Sequence, residues 1–208
     1  NKLQNEVLTA VREQDPERIV FVPAMGWQDY NYIKYARVAE EDPNAVVSFH
    51  YYLPMLLSHY KMLAWVGYQG AVQYPGVVIP TQSDADKYPQ YASFHKTTYN
   101  ADRIMGEMSN AASDGRNAGL AVHCGEFGCS KNVAEAMRLA WFTDIVAAME
   151  ANNIPWTLWE CLDGGFGFVD MEYGIYRINC PLLKVLTGKE LTDAEAKALL
   201  QKYGFKTE

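Results

Sequence analysis

None of the four cysteines, Cys124, Cys129, Cys161 and Cys180, forms a C-x-x-C pair or stands at a zinc-ligand offset from a histidine, which argues against a structural metal site. Free buried thiols are the default expectation, and disulfides stay open if the protein is exported, with a connectivity that spacing does not settle. No apolar run approaches the ~20 residues that a membrane-spanning helix needs. No GxGxxG follows a strand-like run and no glycine-rich phosphate cradle occurs, so a nucleotide-binding sheet is disfavoured. Positive charge is also short: 18 Lys and Arg against 25 Asp and Glu leave a net charge of -7. Nucleic acid and anionic membrane surfaces are both bound through clustered cationic faces, so neither is an expected partner. The opening residues 1–12 lack the charged-then-apolar layout of a signal peptide and read as a chain entered in mid-domain. Repetitive and charge-dense tracts are missing too, and 49% hydrophobic residues in 208 are enough for a buried core. Aromatics are plentiful, with five Trp and fourteen Tyr. Composition alone favours a large aromatic core, although the same residues could stack the flat faces of pyranose rings.

Periodicity gives an alternating order. Leu3, Val7, Leu8 and Val11 fall on one helical stripe over residues 2–14, closed by Asp15-Pro16. Residues 18–24 then read as a strand buried on both faces. A helix over 30–40 leads to a second strand at 45–50. A long Tyr-, Gly- and Pro-rich segment follows over 51–91, of a length usually reserved for functional loops. Helices over 94–112 and 133–151 precede strands at 120–126 and 154–160. One or two helices close the chain at 180–188 and 192–203, with Thr192 an N-cap candidate. Such alternation implies parallel strands joined by right-handed crossovers. Four strands are too few to close an eight-stranded barrel.

In parallel α/β folds the polar residues at the C-terminal strand ends build the site. Here those ends carry Gly26-Trp27, His50-Tyr51-Tyr52, Gly125-Glu126-Phe127-Gly128 and Trp159-Glu160. A lone strand-end Glu or His is more often structural than catalytic, but four such ends together are harder to dismiss. Their order and spacing, with Trp156-x-x-Trp159-Glu160, the 165–170 segment and Pro181-Leu182-Leu183, resemble strands five to eight of family 5 glycoside hydrolases over essentially the whole chain. The segment 66–71 is similar to a loop these enzymes carry after strand six, with Tyr68 where a histidine is common.

The resemblance implies an α/β fold that is half of a (β/α)8 barrel, four parallel βα units forming one half-barrel domain over residues 1–208. It implies a retaining hydrolase of β-linked glucan or mannan, cellulose-type substrates above all, needing no cofactor and no metal. By position, Glu126 matches the nucleophile that forms a covalent glycosyl-enzyme. Tyr52 matches the tyrosine that orients it, and His50 the histidine of the same network. Trp159 matches the platform under the sugar at the cleavage point, and Trp27 is a second stacking candidate. Export from the cell is a further implication.

Retaining hydrolysis also needs an acid/base carboxyl about 5 to 5.5 Å from the nucleophile. The family supplies it from an Asn-Glu pair ending strand four, which is not among these 208 residues. Asn5-Glu6 does not stand in for it, since it lies inside the opening helix and is followed by Val7. Two readings follow: a glycosidase portion, weak or inactive until its barrel is completed, or a non-catalytic carbohydrate-binding half-barrel. An unrelated open α/β fold would make the motifs accidental. Unpaired first and last strands lead to an expectation of self-association.

Overall fold

The computed structural model describes residues 2–38, 42–62, 67–162 and 164–208. Helix α1 spans Lys2–Gln14 and stops before Asp15-Pro16, as proline disfavours helical backbone in the preceding residue. Of its apolar stripe Leu8 is buried, while Leu3 and Val7 are exposed. The Arg12 guanidinium donates to both oxygens of Asp42, at 2.8 and 3.2 Å, tying the end of α1 to the residues that open the second strand. That hydrogen bond holds the Asp42 carboxyl below its ordinary range.

Among the described residues the strands are, in chain order, β1 (Val20–Pro23), β2 (Ala45–Tyr51), β3 (Gly76–Val77), β4 (Thr98–Tyr99), β5 (Ala121–Phe127), β6 (Trp156–Leu158), β7 (Val169–Glu172) and β8 (Ile175–Ile178). The later helices are α2 (Met25–Gln28), α3 (Met55–Ser58), α4 (Gln82–Lys87), α5 (Ala101–Ala118), α6 (Glu135–Ala151), α7 (Cys180–Thr187) and α8 (Asp193–Lys202). Strands β1, β2, β5 and β6 form one parallel sheet in that order, so sheet order follows chain order. Helices α5 and α6 lead into β5 and β6, as βα units require.

One face of this sheet is closed and the other is not. Val47, Phe49, Tyr51, Cys124 and Phe127 are fully buried on one side. On the other, Phe21 of β1 is 54% exposed, and Ile19 just before the strand is 61% exposed. The expectation that the first strand is buried on both faces is therefore corrected. β1 is a sheet edge, and only Val22 of the strand is buried.

The described residues group into two compact units, to be set against the single domain expected over 1–208. The first comprises Asn1–Tyr51, Met105–Phe127 and Ala148–Thr157, and holds most of the parallel sheet. Behind that sheet Met108, Ala111 and Ala112 of α5 are buried, and the Tyr51 hydroxyl meets Glu107 Oε2 at 2.5 Å. The second unit comprises Tyr52–Ile104, Gly128–Ala147 and Leu158–Glu208. In it Trp141, Phe142 and Ile145 of α6 are fully buried, the Trp141 indole donates to Leu53 O at 2.9 Å, and Tyr74 donates to Asp144 at 2.5 Å. The long aromatic segment thus supplies core residues, Tyr68 and Tyr74 among them, as composition favoured.

Three elements depart from the sequence expectation. The helix expected over 30–40 is a 3-10 turn at Tyr30–Tyr35, capped by the Asp29 carboxylate on Asn31 N, because a Tyr-rich hexapeptide is a poor helix former; residues 39–41 lie outside the described part. The helix expected from 94 begins only at Ala101, after the extended Thr97-Thr98-Tyr99 run, with Asn100 Oδ1 capping Arg103 N at 3.0 Å. β7 and β8 form a hairpin closed by Tyr173-Gly174, both at positive φ as a type I′ turn requires. At the C-terminus, Thr192 and Glu195 form a complete capping box on α8.

Candidate active site

The site begins with a break in strand alternation. β2 and β5 run in register from Val46↔Ala121 to Phe49↔Cys124, and then His50 pairs with Glu126. Gly125 is the additional residue, a β-bulge. Side chains alternate between faces, so without the bulge Glu126 would follow Cys124 onto the buried side. With it, Glu126 lies opposite His50, and Oε2 stands 3.3 Å from His50 Nδ1. Both side chains are about three-quarters covered. Burial lowers the pKa of His50, opposed by the negative charge of Glu126. Glycine is needed at 125 for space: a methyl group there would overlap Ser48 Oγ.

The same face carries His123, one turn of the pleat below. Its Nε2 is 3.2 Å from Thr157 Oγ1 and its ring lies 4.8 Å from that of Phe21. Its Nδ1 is buried with no hydrogen-bond partner among the described residues. At the end of β1, Gly26, Trp27 and Gln28 share left-handed backbone, with φ of 62°, 62° and 61°. Trp27 projects from this turn 98% exposed.

Within the second unit, Tyr52 directly follows β2. Its ring lies 4.9 Å from that of His59 and 5.8 Å from that of Phe166. Ser58 Oγ donates to Tyr52 O at 2.5 Å and lies 2.9 Å from His59 Nδ1. As that hydroxyl proton is used on the carbonyl, His59 Nδ1 is the protonated nitrogen and Nε2 carries the lone pair. Burial lowers the pKa of His59 as well. Trp159, after β6, is 47% exposed and joined to Glu160 by a cis peptide bond. Glu160 Oε1 is buried without a partner among the described residues, beside Gly164. No three His, Cys, Asp or Glu side chains among the described residues gather closely enough to hold a metal ion. No described helix is long and apolar enough to cross a membrane. The four cysteines are unpaired, with Cys124 and Cys129 buried.

Comparison with known proteins bears on this arrangement. The family described as Cellulase (glycosyl hydrolase family 5) matches residues 1–165. The chain belongs to glycosyl hydrolase family 5. Endoglucanase C of Acetivibrio thermocellus is 23% identical over 184 residues, covering 85% of this chain and 51% of the relative. Endoglucanase H of the same organism is 25% identical over 174 residues, covering 84% of this chain and 16% of the relative. Among solved structures, the cellulose synthase subunit Z of Clostridioides difficile superposes with a TM-score of 0.69 at 22% identity, over 90% of this chain and 55% of that one. A hyperthermophilic endo-β-1,4-glucanase determined in complex with substrate gives 0.69 at 22% identity, over 90% and 53%. The chain thus spans about half the length of these structures and of endoglucanase C. This agrees with four parallel βα units making half of a (β/α)8 barrel.

In this family 5 chain His59 is a site-adjacent ring that strand-end chemistry does not single out. The resemblance of 66–71 to the family loop, with Tyr68 where a histidine is common, falls on a segment whose Val66 lies outside the described residues. Tyr68 is 2% exposed, packed against Tyr88 and Tyr91, with its hydroxyl on Ala71 O. The ring against Tyr52 is His59, and the available signal was Ser58-His59, seven residues after a strand-end tyrosine.

Proposed function

We propose that the chain carries the nucleophile half of a retaining endo-β-1,4-glucanase site. Glu126 attacks the anomeric carbon, Tyr52 and His50 orient it, and Trp159 and Trp27 stack the sugar rings. The observation that carries this reading is the bulge-dependent His50–Glu126 pair at 3.3 Å on adjacent parallel strands. Family membership and endoglucanase relatives support a polysaccharide substrate. The acid/base glutamate is supplied from outside these residues. Glu6 sits in α1 with 61% of its side chain exposed, 3.9 Å from Lys2, in keeping with a solvated helix residue. Residues 1–208 act as one half-barrel domain in this proposal, and the chain alone hydrolyses little.

The test is hydrolysis of carboxymethylcellulose by the chain alone. Little or no reducing sugar is expected, and a normal rate abolished by Glu126→Gln would overturn the missing-acid reading. Calorimetry with cellohexaose distinguishes substrate binding: Trp159→Ala should weaken it by on the order of 1 kcal/mol, and Glu126→Gln far less. Absence of heat with the parent chain would sink the carbohydrate proposal. A second reading, carbohydrate binding without hydrolysis, is favoured by the exposure of Trp27 and Trp159.

The exposed Ile19 and Phe21 at the β1 edge lead to a third element, self-association. Light scattering should show a dimer or larger species at micromolar concentration, and a stable monomer would refute it.

A further inference from the structure

Arg138 is 4% exposed, yet its hydrogen bonds go to three backbone carbonyls. Nε donates to Cys129 O at 2.9 Å, and Nη2 donates to Phe166 O at 2.5 Å and Gly167 O at 2.8 Å. A buried guanidinium costs several kcal/mol of desolvation in principle and is tolerated when its donors are well satisfied. Its rigid fork is suited to fixing several acceptors in one geometry.

The carbonyls belong to two segments that meet at Trp159. On one side, Gly128 precedes Cys129, and a methyl group at 128 would overlap Trp159 O and come within 2.9 Å of Phe166 Cδ1. On the other, Gly167 packs so closely on Cys161 O that no Cβ would fit, and Val169 N donates to the same Cys161 O at 3.0 Å. Cys161 and Val169 are thus drawn together behind Trp159, whose carbonyl lies against Gly128 with the Phe166 side chain beside it. Lys131 adds a second tie through its N–H to Gly165 O at 2.8 Å and its Nζ to Val169 O at 2.7 Å. Arg138 reaches both sides from one turn of α6, a helix already anchored by the Trp141 indole on Leu53 O.

We infer that Arg138 is a positioning residue for the Trp159 sugar platform, clamping Gly128-Cys129 to Phe166-Gly167 so that the indole is held in one orientation. The inference rests on the proposed carbohydrate role of Trp159. It differs from a generic core contact in what it moves: the loss should appear at Trp159 while Trp141, three residues along the same helix, stays in place.

The experiment uses the full chain with 15N-labelled indoles, Trp159 being assigned through Trp159→Phe and Trp141 through Trp141→Phe. Arg138→Lys keeps the charge and loses the fork. It should displace or broaden the Trp159 indole resonance, leave the Trp141 resonance unchanged, and weaken cellohexaose binding about fivefold to tenfold. If Arg138→Lys does not fold, Arg138→Gln, shorter and uncharged, should displace or broaden the same resonance. An unchanged Trp159 signal in a folded variant overturns the inference. Unfolding of both variants, or equal shifts of Trp141 and Trp159, also overturns it in favour of a general packing role. If the parent chain binds no cellohexaose, the carbohydrate reading fails, while the Trp159 resonance still reports whether Arg138 positions the indole.

Discussion

Replacing Gly125 by alanine separates space from backbone conformation at the point where the site is made. The backbone at Gly125 is not left-handed, so alanine meets no conformational barrier there and would gain a few tenths of a kcal/mol to about 1 kcal/mol by restricting the unfolded chain. Against this stands the overlap of the new methyl group with Ser48 Oγ. The next neighbours, His50 Cδ2 and Phe49 O, lie at an ordinary 3.7 Å. The whole penalty therefore comes from one hydroxyl on a residue that is only 8% exposed. Overpacking of this kind costs about 1 to 3 kcal/mol, so Gly125→Ala should be net destabilising by about 1 to 2 kcal/mol. Ser48→Ala removes the obstructing atom. In that background Gly125→Ala should be neutral or stabilising, giving a favourable coupling of about 1 kcal/mol or more. Urea unfolding of the four proteins at neutral pH completes the cycle. Additivity within about 0.5 kcal/mol would refute the account of why glycine occupies the bulge.

Other expectations follow from single contacts. Tyr51→Phe removes the buried hydroxyl contact to Glu107 and should cost about 1.5 to 3 kcal/mol; a loss below about 0.5 kcal/mol on urea unfolding would show that contact to be idle. Glu126→Gln deletes the charge that opposes desolvation of His50, so the imidazole should titrate lower still by NMR, and an upward or absent change would contradict the pairing. Burial depresses the pKa of His50, His59 and His123 below the ordinary value of about 6.5. The unfolded chain therefore binds more protons as pH falls through that value, and stability should drop from about pH 7.5 to about pH 5.5. An equal urea midpoint at the two conditions would contradict it.

Much of the fold was legible because its elements obey single periodicities. The α1 stripe ended at Asp15-Pro16, and the strand runs at 45–50 and 120–126 lie where β2 and β5 are found. The failures came where tertiary context overrides local pattern. Phe21 looks like a core residue in a hydrophobic run and is exposed because it lies on the sheet face left open among the described residues. The Tyr173-Gly174 hairpin escaped notice because tyrosine is not the usual first residue of a type I′ turn. At the site, Glu126 and His50 could be named from strand-end chemistry, but their shared face depends on a one-residue bulge that alternation alone cannot foresee. His59 was hidden for a different reason: its neighbours Tyr52 and Phe166 are 7 and 107 positions away along the chain.

The interleaving of the two units limits how the gene for this chain can be cut. The polypeptide passes from one unit to the other after Tyr51, Ile104, Phe127, Ala147 and Thr157. Neither unit corresponds to a contiguous stretch of coding sequence, so no simple truncation yields one without pieces of the other. Two of the crossings fall within α5 and α6, where an excised fragment would end in a severed helix with unsatisfied backbone groups. Fragment libraries and recombination designs built on this chain should therefore keep residues 2–162 together, and place breakpoints in the exposed turns near the C-terminus, such as Gly188 to Thr192.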